Sequence, residues 1–307
     1  SRMSLKIDSL LRDGLNKSAY PSAVCLIGLN NRIIYLRGYG KVIKGKKYEL
    51  PDENTLYDIA SLTKIVATTS IIMRLYDENR IKLNDTIKKY LKEIPEDSWW
   101  SSVTVKQILT HTSGAPAWIP FYRKFVNSPN KFNTFFKFQE HPSDSFPVRI
   151  SRGLYARKEV VDTVLKDIYY ASRHKPDTFV YSDLGFCLLR FLIERITGKR
   201  LDSAFNVYIA EPLEMTSTSY NPEIDEATKI APSEKDDEFR KEIIKGTVHD
   251  PAAAMLGGIS GHAGLFSTAI DLFKFSYALI NNGEYAGKRV FSPDAIRLFT
   301  SILYENE

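Results

Sequence analysis

The chain has 307 residues, 43% of them hydrophobic and 26% charged, with a formal net charge of +5. That length is enough to bury a sizeable core, so a globular chain of one large domain is expected. No apolar run approaches ~20 residues, which excludes a membrane-spanning helix, and the modest charge gives no reason to invoke nucleic acid.

The start, Ser1-Arg2-Met3-Ser4-Leu5, lacks an apolar signal region, and a cytoplasmic setting is the expectation that follows. An amphipathic helix is predicted over residues 4–18, carrying Leu5, Ile7, Leu10, Leu11 and Leu15. Two apolar runs, Ala23 to Gly28 and Ile33 to Gly38, flank Leu29-Asn30-Asn31-Arg32 and read as a hairpin. Residues 41–55 are polar and read as loop. Cys25 and Cys187 lie in apolar segments without metal-ligand spacing, so buried free thiols are expected. Histidines and cysteines are few and scattered, and neither a metal nor an organic cofactor is implied.

Next comes Asp58-Ile59-Ala60-Ser61-Leu62-Thr63-Lys64. From Leu62 the apolar positions run Leu62, Ile65, Val66, Thr69, Ile72, Met73 and Tyr76, the rhythm of a helix with one buried face. Ser61 falls at its first turn, where free N–H groups and the positive dipole end favour developing negative charge. Lys64 follows at i+3, a neighbour on the helix surface. Burial favours a neutral lysine amine, so the pair reads as a nucleophile beside its base. A capping serine and a surface lysine would show the same letters, and Ser-x-x-Lys recurs at Ser128/Lys131 and Ser172/Lys175 without a long apolar-faced helix behind it.

A short helix is predicted over 103–114, stopped by Gly114 and Pro116. Residues 118–150 look irregular, with aromatic side chains interleaved with lysines. Without a nucleic-acid fold signature, a lid or rim packed on a helical layer is the better reading of that pattern. Residues 155–172 read as an amphipathic helix. Pro176 to Asp183 is an extended approach to a helix from Leu184 to Thr197, closed by Gly198. Residues 221–249 are charged and loop-like. Gly257 to Gly264 reads as a flexible turn before a helix starting near Thr268. No internal repeat is present.

Tyr181-Ser182-Asp183 opens the helix at Leu184, and a tyrosine hydroxyl there is placed to relay a proton to a second element. At this point the chain resembles the serine β-lactamase-related superfamily: class C β-lactamases, penicillin-binding D,D-peptidases, and the esterases and D-aminopeptidases built like them. The resemblance is carried by Leu56 to Lys64, Ile108 to Gly114, Tyr181 to Phe186, Pro212 to Met215, and His249-Asp250-Pro251 through Gly261-His262-Ala263-Gly264 to Thr268. It implies Ser61 as nucleophile, Lys64 as base and Tyr181 as second acid/base group, with Tyr181 within hydrogen-bond reach of Ser61 or Lys64. Asp183 stands where the family usually has asparagine, which lowers the expectation of efficient lactam hydrolysis. Asp183, His262 and Gly264 are the expected substrate-binding residues. His111 is expected to brace a turn. Tyr304-Glu305-Asn306 repeats the tyrosine pattern with no helix after it and is read as chance.

The implied fold is α+β: one domain over 1–307, with 1–60 and 250–307 forming an α/β part and 61–249 a mostly helical part. An antiparallel sheet flanked by helices is expected, with its C-terminal strands apparently missing. The family's Lys/His-x-Gly motif lies on such a strand, whereas His262-Ala263-Gly264 resembles the glycine turn upstream of it. Either a C-terminal segment is missing or a second copy, as in a homodimer, covers the open edge. The expected function is a serine hydrolase acting on a small-molecule acyl substrate. The alternatives are a penicillin-binding or sensing module without turnover and a helical scaffold without chemistry.

Overall fold

The computed structural model describes residues 2–45 and 47–301, and Tyr304-Glu305-Asn306 lies outside them. At the centre stands the helix Leu184–Thr197, whose residues Leu184 to Leu189, Leu192 and Ile193 are all buried. A helix apolar on nearly every side has to be surrounded. Gly185 lets it approach Ile108 closely, since a Cβ there would lie 2.6 Å from the Ile108 Cγ2. Gly198 ends it in the left-handed conformation, φ 70°. Around it a continuous core includes Ile71, Ile72, Leu75, Trp100, Phe121, Phe136, Leu154, Phe205 and Phe291.

The described strand ladders are antiparallel, and the α+β class holds. Ser22–Leu29 and Arg32–Gly40 form the expected hairpin. Asn30 (φ 48°) and Asn31 (φ 64°) supply the two left-handed residues that a tight hairpin turn demands. Among the described residues Ser22–Leu29 pairs with Arg32–Gly40 alone. The helix Arg2–Asn16 is tied to this hairpin through Asp8, which accepts from Tyr35, Arg37 and Tyr39. A second sheet runs Tyr57–Asp58, Leu265–Ser267, Ser219–Tyr220, with Phe266 opposite both Asp58 and Ser219. This small sheet brings the Ser61 turn beside the segment that follows His262.

Several expectations change. Residues 41–55 are not all loop: Val42–Lys44 and Lys47–Glu49 pair with each other, and Lys229–Ile230 adds to the first. The aromatic stretch holds the helices Arg123–Val126 and Pro129–Phe135 and the strands Phe136–Phe138 and Val148–Arg149. Phe121, Phe125 and Phe136 of this stretch pack inward, with Phe125 and, from the later segment, Phe239 edge-on against Phe136, while Trp118 and Phe138 stay exposed. The charged segment 221–249 is held by Arg240, which is buried and donates to Asp236 and to the carbonyls of Val248 and His249. The turn read as flexible is buried from Gly258 to Gly264. Its carbonyls are claimed from outside, that of Gly261 by Thr68 and those of Leu256 and Ile259 by Arg190.

Candidate active site

The stretch that carries Ser61 begins with strain. Ala60 sits at φ 46°, a left-handed conformation unusual for a residue with a Cβ. The Asp58 carboxylate holds that bend by accepting from the Ala60 N–H at 2.8 Å and from the His249 N–H at 2.7 Å. Burial pushes the Asp58 carboxyl up, and these two bonds work against that. Ser61 is thus displayed at the mouth of the following helix, exposed, and among the described residues its own N–H has no acceptor.

The helix does not continue as an ordinary α-helix. Lys64–Thr69 is a π-helical stretch, and α-helix resumes over Ser70–Asp77. A π turn holds more residues than an α turn, so it rotates the side chains before it relative to those after it. Leu62 and Ile65, expected on the buried face, are about half exposed (48% and 52%), while Lys64 is turned inward and only 3% exposed.

Lys64 Nζ donates to Ser61 Oγ at 3.0 Å and to the His262 carbonyl at 3.2 Å. It also forms an ion pair with Asp183 Oδ1 at 2.6 Å. Its remaining surroundings are aromatic, with Tyr181 and Phe186 ring centroids 4.9 and 5.8 Å away. The ring of Tyr181, not its hydroxyl, makes this contact. No hydrogen bond of the Tyr181 hydroxyl is present among the described residues, so the expected bond to Ser61 or Lys64 is absent. His111 braces the tyrosine, with the two ring centroids 4.5 Å apart. Its Nδ1 accepts the Ser182 N–H at 3.1 Å. Burial, then the charge of Lys64, push His111 down to about 4, so it is a neutral prop.

The expected substrate-binding residues have other engagements. Asp183, at the N-terminus of the central helix, is the counter-charge of Lys64. The His262 side chain is buried. Its Nε2 lies 2.8 Å from Asp250 Oδ1, and its Nδ1 faces Ser260 Oγ at 2.8 Å and Cys187 Sγ at 3.2 Å. Only its backbone carbonyl meets Lys64. Gly264 is a packing glycine: φ is 119°, and a Cβ would lie 2.4 Å from the Gly258 carbonyl oxygen.

Asp250 received no role from its letters, yet it caps the helix Pro251–Met255 through the Ala253 N–H and holds His262. Burial opposes its charge, but the His262 charge and hydrogen bond outweigh that and hold it down at about 2. Burial likewise opposes charging His262, and Cys187 and Asp250 together carry it well above its usual value. Asp-Pro at a helix start is a readable capping signal, but the partnership with His262 is not. Asp183, Asp250 and His262 bring donor atoms within 4.8 Å of one another, a spacing that would suit a cation. The Lys64 ammonium already meets Asp183 there.

The other two Ser-x-x-Lys patterns are structural. Ser128 caps the helix Pro129–Phe135 by accepting from the Lys131 N–H, and Ser172 to Lys175 lies outside regular structure.

A serine at a strained helix mouth, a buried lysine one turn on and a second helix that starts at an acid paired with that lysine, within an α+β frame, define the β-lactamase and penicillin-binding class of fold. The chain belongs to the Beta-lactamase family, whose model matches residues 7–298. A relative from Escherichia coli (strain K12), named provisionally as a D-alanyl-D-alanine carboxypeptidase, is 29% identical over 92% of this chain and 65% of its own length. The chain therefore spans about two thirds of that relative. A protein of the same name from Salmonella agona is 29% identical over 96% of this chain and 68% of itself. Two solved structures share the fold. The octameric penicillin-binding protein homologue from Pyrococcus abyssi has a TM-score of 0.68 and 21% identity, over 98% of this chain and 61% of that one. A class C β-lactamase has a TM-score of 0.68 and 16% identity, over 96% and 68%.

Proposed function

We propose that the protein is a serine hydrolase of the acyl-enzyme type, with Ser61 as nucleophile and an ester, amide or β-lactam-like carbonyl as its target. The observation that carries this reading is the contact between the inward-turned Lys64 and the exposed Ser61, 3.0 Å from Nζ to Oγ. To act as base the lysine amine presents its lone pair to Ser61, held in place by its bond to the His262 carbonyl and by Asp183 Oδ1 2.6 Å away. Ser61 Oγ then attacks the carbonyl carbon as its proton passes to Lys64. The unengaged Ser61 N–H is one donor for the oxyanion. We assign Tyr181, whose ring centroid lies 4.9 Å from Lys64 Nζ, the protonation of the leaving group. The names of the relatives direct the first substrates to test toward peptides ending in D-alanyl-D-alanine and toward β-lactams.

One observation favours a second reading, in which the centre is acylated without rapid turnover. Among the described residues the one side-chain hydrogen bond at Ser61 Oγ is that of Lys64, and no second N–H is identified beside it for an oxyanion. Loss of one such donor costs about 10²–10³-fold in rate. A fluorophosphonate probe and a chromogenic cephalosporin separate the cases. Labelling of Ser61 with turnover supports the hydrolase, stable labelling without turnover supports the sensing module, and no labelling of Ser61 defeats both.

A further inference from the structure

Cys187 takes no part in the proposed hydrolysis, yet its setting is that of a nucleophile. It is the fourth residue of the central helix and its N–H bonds to the Asp183 carbonyl, which places the thiol beside the positive end of that helix. Its Sγ lies 3.2 Å from His262 Nδ1, and His262 Nε2 lies 2.8 Å from Asp250 Oδ1. Thiol, imidazole and carboxylate in that order form a nucleophile, a base and a group that orients the base. Ser260 Oγ shares Nδ1 at 2.8 Å and stands 3.9 Å from the sulfur. The imidazole, oriented by Asp250, is the group placed to take the thiol proton. The second cysteine offers an internal contrast. Cys25 has no partner among the described residues, and burial pushes its thiol up.

The thiol is about 1% exposed, but it borders a cavity of about 30 Å³ lined also by Trp118, Phe121, Asp183 and Asp250. That space holds a molecule of about the size of water. Bulky thiol reagents do not fit it.

We propose that Cys187, with His262 and Asp250, is a modification site for hydrogen peroxide and similarly small hydroperoxides. As its proton passes to His262, the sulfur attacks one peroxide oxygen, so that an S–O bond forms as the O–O bond breaks. The departing hydroxide takes the His262 proton and leaves as water. The sulfur is oxidised by two electrons to a sulfenic acid and the peroxide is reduced. Oxidation adds an oxygen against His262. The His262 carbonyl is an acceptor for Lys64, so displacement of this segment disturbs the base of Ser61. This last consequence rests on the hydrolase reading, whereas the oxidation itself does not.

The test treats the reduced full chain with hydrogen peroxide, unfolds it in denaturant containing dimedone, and reads both cysteine peptides by mass spectrometry. Cys187 should gain the dimedone adduct about tenfold or more faster than the more accessible Cys25, as expected for a thiol paired with a base against one without. His262→Gln should slow the Cys187 reaction towards that of Cys25. Should that variant not fold, the comparison of the two cysteines within the unaltered protein still decides. Fluorophosphonate labelling of Ser61 should fall in step with oxidation and return with dithiothreitol, and in Cys187→Ala it should not respond to peroxide. Oxidation of Cys25 ahead of Cys187, or equal rates with and without His262, would overturn the site. Full labelling after Cys187 is oxidised would overturn its link to Ser61. If the reduced protein takes no fluorophosphonate at all, the hydrolase reading fails, and the mass readout still judges Cys187.

Discussion

At the scale of single residues, the site is a set of contacts on one amine. Lys64 touches Ser61, Asp183 and a backbone carbonyl while two rings exclude water from it. Ser61→Ala should abolish fluorophosphonate labelling and leave the thermal midpoint nearly unchanged, because the exposed hydroxyl contributes little packing. Lys64→Ala should slow labelling by about 10²–10⁴-fold, the usual cost of losing a general base. Asp183 is tested by two substitutions. Asp183→Asn keeps an oxygen facing Lys64 and should retain most of the labelling rate. Asp183→Ala leaves the buried lysine without its counter-charge, and should lose both labelling and about 2–4 kcal/mol of stability measured by denaturant unfolding. Equal behaviour of the two variants would show that Asp183 does not position the amine.

At the scale of elements, three starts of structure converge: the mouth of the Ser61 helix, the N-terminus of the central helix, and the buried segment 257–264. Their approach is set by small residues. Gly261 is in contact so close that a Cβ would lie 2.1 Å from the Phe186 carbonyl oxygen, a backbone atom that cannot swing away. Gly261→Ala should therefore push this segment off the central helix, cost about 1–3 kcal/mol, and displace the next residue, His262, whose carbonyl faces Lys64. Thermal unfolding and labelling of the same preparation should fall together. A stable, fully labelled variant would mean that the Lys64 acceptor is dispensable. The capping box at Thr104 and Gln107, which makes no contact with Ser61 or Lys64 among the described residues, is a control. Thr104→Ala should cost about 1 kcal/mol without altering labelling per folded molecule.

For the whole molecule, three titrating groups, one buried and two half-buried, shape stability against pH. His262 is raised in the folded state, so its contribution is complete below the unfolded value of 6.5 and is lost as pH rises through the folded one. His111 is held down at about 4, so its contribution is complete above 6.5 and declines as pH falls from there towards 4. Asp250, lowered from 3.8 to about 2, adds a further loss as pH falls through that interval. Stability should peak near pH 6.5 and decline on both sides. Thermal midpoints measured across pH 3 to 9 test this, and His111→Gln should flatten the arm between 6.5 and 4. A profile that is flat from 4 to 9 would contradict these assignments.

Local pattern alone determined a good deal. Two apolar runs around a short polar turn defined the first hairpin, an extended approach and a closing glycine bounded the central helix, and the order of short motifs identified the fold family. Ser61 and Lys64 were legible because helix spacing is a local property. The rest depended on long-range packing. The π-helical stretch at Lys64–Thr69 re-aimed the helix face, a change no periodicity of three and four reveals. Segment 257–264 looked flexible because its glycines permit many conformations, but contacts from Thr68 and Arg190 select one. Asp250 joined His262 across 12 residues, and Asp183 and Tyr181 acquired their relation to Lys64 only when two helix starts met. Charge pairing in a buried site is decided by distance in space, and sequence spacing carries that information only within a turn or two of helix.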